Sequence, residues 1–311
     1  MGPTLLTHLR HLAGMKSLLS VVGPATLDSQ ISLEASLERR ASFWNFARAD
    51  YQAAYINHTP TLLDTNDIPM WQSYGLQIST KGSLYFDPEG LKLDPCHRCT
   101  TVQLVSHTLL WILLRATNFL ASPTQDLPTR QSTWDQINTD LNTWHSCLPI
   151  AFQPSAQLRH PVSRRHGSAT PGGGQSATRV GIRELFFSIP LCAATMQLYH
   201  FARIILLISK PTQTPTSSRL QAYREVSALA LQEAHEIVGI ALGRPHPAVR
   251  VEMLLPLFAA GTLLEADEER MLVVEILKAI ELDTGCATEN RVRDLEREWG
   301  WKSSGLVAVA A

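Results

Sequence analysis

Large apolar side chains recur every three or four positions through most of the chain. Trp134, Ile137, Leu141, Trp144 and Leu148 form one helical stripe, while Asp135, Asn138, Asp140 and Asn142 face elsewhere and Pro149 ends the run. Over Thr101–Leu120 the same spacing holds through Val102, Val105, Leu109, Ile112 and Phe119. Its second face, Leu104, Trp111 and Leu114, is apolar too, which predicts a helix buried nearly all round. Further helices are predicted over Arg183–Ser209, kinked at Pro190, and over Ser217–Leu242, closed by Gly243. Val249–Leu264 follows with an internal proline, Pro256. Asp267–Leu282 opens on three acidic residues suited to a helix N-terminus and ends near Gly285. Thr288 with Arg291 to Trp299 marks a last helix. Period-two alternation between turn signals is missing almost everywhere, so strands are few. The fold class is all-α, an irregular multi-helix bundle of about nine or more helices.

Two stretches interrupt the periodicity. Thr80–Pro95 mixes Gly, Pro and Asp and reads as a loop. Residues 154–179 are poor in apolar side chains and rich in Gly, Ser and Arg, which predicts a mobile, solvated insertion. There is no internal repeat of the length that builds solenoids.

Composition narrows the functional classes. The 311 residues carry 45% hydrophobic side chains, a globular composition, and are enough to bury a large core. With 27 basic and 28 acidic residues the net charge is −1, whereas a nucleic-acid-binding surface needs a basic excess to neutralise phosphates. The longest unbroken apolar runs, Leu109–Leu114 and Ile204–Ile208, fall far short of a bilayer span, so no membrane partner is expected. Arg10 and Lys16 interrupt the apolar N-terminus, and Leu6 stands where N-myristoylation wants Ser or Thr. Cysteines at 96, 99, 147, 192 and 286 are odd in number and irregularly spaced, which predicts free thiols in a reducing compartment.

Cys96-His97-Arg98-Cys99 presents two thiols to one point, but tetrahedral zinc needs four ligands and no second pair completes the set. His235-Glu236 lacks the second histidine one turn later that a zinc protease uses. Gly172–Gly174 lies in the polar stretch with no strand before it, unlike a phosphate loop. Asp267-Glu268-Glu269 faces no second acidic motif of the kind that holds magnesium, and a helix N-terminus explains it more simply. The expected set of catalytic, metal and cofactor-binding residues is therefore empty, and the chain is expected not to be an enzyme. A helical-pocket enzyme, its cavity lined by some of the nine Phe, seven Trp and six Tyr residues, is the less favoured alternative.

One segment is denser in chemistry than the rest. RRASFWNFARADYQAAYINHTP, residues 39–60, places Trp44, Ala47, Tyr51 and Ala54 on one helical stripe, flanked by Phe43 and Phe46. Asp50 falls beside those rings, where an unpaired carboxylate is costly. It should meet a cation from another helix or a cluster of backbone N–H groups; Arg48, two positions away, does not face it. A general acid or base is the functional alternative, and a buried polar contact that fixes register is the favoured one.

The run Arg39-Arg40-Ala41-Ser42-Phe43-Trp44…Arg48-Ala49-Asp50 resembles a helix in the regulatory domain of fungal binuclear zinc-cluster transcription factors. Trp134…Leu141…Trp144…Leu148-Pro149…Phe152 is similar to a second segment of that family, and Leu198-Tyr199-His200…Ile204…Leu207…Lys210-Pro211 to a third. Leu255-Pro256-Leu257-Phe258-Ala259-Ala260-Gly261, followed by Glu268-Glu269-Arg270 and by Trp299, resembles the rest, in the same order. The resemblance covers roughly residues 30–300. It implies a fungal-specific regulatory domain over 31–302, after an N-terminal helical extension (1–30) and before a disordered tail (303–311). It also implies transcription regulation in the nucleus, of a metabolic or secondary-metabolite gene cluster. DNA is the partner the resemblance implies, with pairing to a second copy or to a full-length relative. The family's zinc and DNA contacts reside in an N-terminal cluster of six cysteines. Residues 1–30 contain no cysteine, so no DNA-binding or zinc-binding residue is assigned to this chain, and zinc is expected only where such a cluster exists. The alternative is a co-regulatory or dominant-negative helical partner without DNA binding of its own.

Overall fold

The computed structural model describes residues 33–80, 82–84, 98–122, 126–159, 181–211 and 218–301, together with Gly14. Among them are nine helices of six residues or more and one two-stranded sheet, an all-α architecture. Apart from Gly14, the N-terminal extension lies outside the described residues, as do the pair Cys96-His97, the glycines at 172–174 and the tail 303–311. The chain divides into two compact units, Met1–Ile150 with Ile205–Gln213, and Ala151–Ile204 with Thr214–Ala311.

In the first unit, α1 (Leu33–Asn57), α2 (Ile68–Ser73), α3 (Arg98–Ala121) and α4 (Leu127–Ser146) pack around aromatic rings. α3 is buried on every side, through Val102, Val105, Leu109, Trp111, Ile112, Leu114 and Phe119. α4 buries Ile137, Leu141 and Trp144, but it stops at Ser146, so Leu148 lies beyond the helix. Asp126 caps α4 by accepting from the Thr129 N–H at 3.1 Å. α2 was not expected from periodicity. Asp67 caps it through the Met70 N–H at 3.1 Å, and Pro69 occupies its first turn, where no backbone donor is needed.

The second unit corrects three expectations. Arg183–Ser209 is not one kinked helix: Arg183–Phe186 is a strand, β2, and α5 (Pro190–Ser209) begins at the proline. A proline ring supplies helical φ and lacks only an N–H that the first turn leaves unbonded, so it starts the helix and does not kink it. The polar stretch from 154 opens with a second strand, β1 (Ala156–Arg159), antiparallel to β2, with Ala156 opposite Phe186 and Arg159 opposite Arg183. Residues 160–180 lie outside the described residues.

β2 rests on α6 (Arg219–Leu242) at two glycines. A Cβ on Gly239 would stand 2.2 Å from the Arg183 carbonyl oxygen, and one on Gly243 2.1 Å from that of Leu185. The strand backbone therefore fits only where both side chains are missing. The predicted helix over Val249–Leu264 is broken into α7 (Pro247–Arg250), a 3-10 turn at Val251–Met253, and α8 (Leu254–Leu263). The Pro256 ring excludes a continuous ladder through residue 252. α9 (Asp267–Thr284) ends at Gly285 in the left-handed region (φ 72°), and α10 (Glu289–Glu298) closes the unit. Trp299 donates its indole N–H to the Gly261 carbonyl at 2.9 Å.

By length and composition, Cys99–Ala121 and Pro190–Ser209 are apolar enough to cross a membrane, a property the run lengths alone did not reveal. Of their most apolar windows, 67% and 72% are buried inside the fold, as in the core helices of a packed protein.

Candidate functional site

The charged and aromatic segment on α1 is where the structure concentrates its chemistry. Phe43 stacks on Tyr74, with centroids 3.6 Å apart and planes 2° from parallel, and meets the edges of Trp44 and Trp71 at 5.1 and 5.4 Å. Such contacts each add about 1 kcal/mol beyond the area they bury. Tyr74 closes α2, and the next residue, Gly75, has φ 98°. A Cβ there would lie 2.5 Å from the Arg40 guanidinium, so glycine lets Arg40 lie across the turn and donate to the Tyr74 carbonyl at 3.4 Å.

Asp50 resolves in favour of backbone donors. Its two carboxylate oxygens accept from the Leu62 and Leu63 N–H groups, each at 2.8 Å, and the residue is 2% exposed. The loop it holds is pinned from every direction. Thr61 donates its N–H to Asn118 Oδ1 at 2.7 Å, while the indoles of Trp71 and Trp111 donate to the carbonyls of Asp64 and Thr65 at 2.9 and 3.1 Å. A carboxylate on two amides, with ring N–H groups on two carbonyls, removes the desolvation cost of burying an irregular segment. Asp50 therefore positions the loop between α1 and α2.

Arg40, Trp44 and Arg48 are successive i, i+4 neighbours, so they share one face of α1. The imidazole of His107, from α3, lies flat on Trp44, with centroids 4.0 Å apart and planes 5° from parallel. Burial, then the nearby charges of Arg48 and Arg40, press the His107 pKa down to about 3, so the ring is neutral at physiological pH. Trp44 is buried, and its indole N–H has no hydrogen-bond acceptor among the described residues. Burying such a donor costs on the order of 1–3 kcal/mol. Arg48 donates to Asn45 Oδ1 at 3.4 Å.

Elsewhere, titratable groups pair with one another, most often from one element to another. Arg115 of α3 reaches Asp140 of α4 at 2.5 Å and lies over the Trp111 ring at 4.4 Å. In the second unit, Glu233 of α6 takes His200 Nδ1 at 2.7 Å and Arg203 Nε at 3.4 Å, and the buried Arg250 pairs with Asp283. His235 lies 3.3 Å from Glu269, within ion-pair distance but without hydrogen-bond geometry. Of the acidic trio at the head of α9, Asp267 pairs with Arg270 at 3.2 Å.

No group of three or more His, Cys, Asp or Glu side chains is placed to share a metal ion among the described residues. Among the described cysteines, Cys99 is exposed, Cys192 is buried in α5 with its thiol pushed up to about 12 by desolvation, and Cys147 and Cys286 are half-buried free thiols. A shallow groove on α4 is lined by Pro128 and the polar side chains of Gln131, Ser132, Asp135, Gln136 and Thr139, all of one helix.

Residues 8–299 match the fungal specific transcription factor domain. The chain belongs to that family. It is also 32% identical over 285 residues to the transcription activator AMTR1 of Alternaria alternata. That alignment takes in 85% of this chain but only 36% of the relative, so the chain spans about a third of the activator's length. No solved structure matches. Within the fungal specific domain, Arg40, Trp44, Arg48 and Asp50 all fall on the α1 segment that resembles the family. What sequence reasoning missed is His107. A lone histidine on an apolar helix carries no signal, and only the crossing of α1 and α3 sets it on Trp44.

Proposed function

We propose that the chain regulates transcription in the nucleus as the helical regulatory part of a fungal transcription factor, acting on a metabolic or secondary-metabolite gene set. The observation that carries this reading is the family match from residue 8 to residue 299, supported by likeness to a protein described as a transcription activator. The use of titratable groups in helix-joining pairs favours a binding and signalling role over turnover. A regulatory domain works by changing partners or shape, for which a convergent acid–base pair is not needed. Fusing the chain to an unrelated DNA-binding domain tests the proposal. A reporter carrying that domain's site should change expression, and deleting the gene should change the transcripts of its neighbours. An unmoved reporter together with unchanged transcripts would overturn it.

A second reading is favoured by the net charge of −1: a co-regulatory partner that pairs with a second copy or a full-length relative and leaves DNA contact to that protein. Gel shifts with the purified chain separate the two. Tight binding that weakens steeply with salt rejects the co-regulator.

A further inference from the structure

The hairpin on α6 leaves one strand edge open. In an antiparallel strand the N–H and C=O of one residue point the same way, and the direction alternates between neighbours. The carbonyls of Arg183 and Leu185 face the two α6 glycines, whereas that of Phe186 accepts the Ser155 N–H at 2.7 Å. Glu184 and Phe186 therefore turn their backbone groups toward β1, where the register sets Leu158 and Ala156 opposite them. Gln157 and Arg159 are left with their N–H and C=O groups on the far side of β1, where no strand among the described residues pairs with them. All four residues of β1 are exposed.

The side chains at this edge carry a charge without a counterion. Arg159 stands directly opposite Arg183, a like-charge pair that is unfavourable across a ladder. Arg183 is compensated, since it pairs with Glu236 and donates to Gln157 Oε1 at 3.4 Å. Arg159 forms no ion pair among the described residues. On the opposite face of the hairpin, Leu158 is 57% exposed. Free backbone groups, a lone cation on one face and an apolar side chain on the other together define the complement that fits. Because α6 seats β2 by sterics, the edge is formed before anything docks, and little ordering is lost on binding.

We propose that β1 accepts an extended acidic segment of a partner protein as a third, antiparallel strand. An acidic residue of the segment lies opposite Arg159, its apolar neighbour lies opposite Leu158, and backbone hydrogen bonds are exchanged at Gln157 and Arg159. The surface stands apart from the regulatory reading, because its test reads binding alone.

The probe is a fluorescent hexapeptide, Thr-Val-Glu-Val-Thr-Val, blocked at both ends and titrated with the full chain by anisotropy. One control replaces its Glu by Lys, and a second carries an N-methyl group on the Glu amide, which removes a ladder donor and keeps the side chains. Each control should bind about tenfold more weakly, the loss of one hydrogen bond or ion pair. Arg159→Glu changes an exposed side chain, so the variant should melt with the wild type, and it should prefer the Lys peptide. Bound probe should slow hydrogen exchange at the Gln157 and Arg159 amides and leave those of Ala156 and Leu158, already paired in the hairpin, nearly unchanged. Absence of binding, equal binding of the probe and either control, or no added protection at Gln157 and Arg159 overturns the proposal. A concentration-dependent dimer that protects the same two amides without peptide overturns the acidic partner and gives the edge to a second copy.

Discussion

The loop between α1 and α2 and the hairpin on α6 solve the same problem in opposite ways. Each is an irregular or short element laid against a helical core, where its backbone has to come close without leaving polar groups stranded. In the first unit the solution adds side chains: Asp50 takes two amide hydrogens, and the indoles of Trp71 and Trp111 fill two carbonyls. In the second it removes them, since Gly239 and Gly243 leave a channel in which carbonyls of β2 lie directly on the helix. An added group fixes a loop by directional bonds and fails gradually as each bond is lost. A missing group fixes a strand by sterics and fails abruptly when anything fills the space.

The sharpest break of this contrast is Gly243→Ala. With a carbonyl oxygen 2.1 Å from the new methyl, the hairpin must lift, and a destabilisation of about 3 kcal/mol is expected in urea melts. Gly285→Ala is the control. It meets nothing within 4 Å, so only the left-handed backbone is strained, at about 1 kcal/mol. Equal losses in the two variants would dissolve the steric account of the hairpin.

On the other side of the comparison, Asp50→Ala should cost about 2–3 kcal/mol by stranding two buried amides, and Asp50→Asn about half of that because one acceptor oxygen remains. If Asn is as harmful as Ala, the carboxylate is meeting something other than two N–H groups. Acid should also separate the two units. His107 has a pKa lowered from 6.5 to about 3, so between those values the unfolded chain binds a proton that the folded one refuses. Stability in the first unit therefore drops as the pH is lowered through that window, by roughly 1 kcal/mol per pH unit, and His107→Gln should flatten that slope. A wild-type and variant acid titration that superimpose would place the imidazole in water. As small as the Gly285→Ala loss is that expected for Trp299→Phe, which removes one hydrogen bond to Gly261 and should cost about 1 kcal/mol in the same melts.

Much of the helical frame was legible because its apolar spacing is long and regular, as on α3 and α9. The hairpin was not. Four residues such as Arg183–Phe186 are too few to display a period, and the apolar neighbours Leu185, Phe186 and Phe187 extend the helical signal from α5 backward through them. Pro190 carried the correct boundary, since a proline suits a first turn better than a helix interior, yet the longer run outweighed it. α2 was missed for the same shortness, although Asp67 followed by Pro69 marks a helix start. At the candidate site, Arg40, Trp44 and Arg48 declare their common face by spacing. Asp50 announced that it needed partners, and backbone donors were one of two kinds foreseen. Which amides answer it, and that an imidazole covers Trp44, depends on contacts 12 to 63 positions away in sequence.

The two glycines of α6 carry a consequence for how the protein tolerates change. Because the carbonyls of β2 touch the helix backbone directly, the outward side chains of the hairpin do little of the seating. Leu158, for example, is 57% exposed. Random mutagenesis followed by selection for folded protein should therefore leave β1 nearly unconstrained, while codons 239 and 243 return glycine alone.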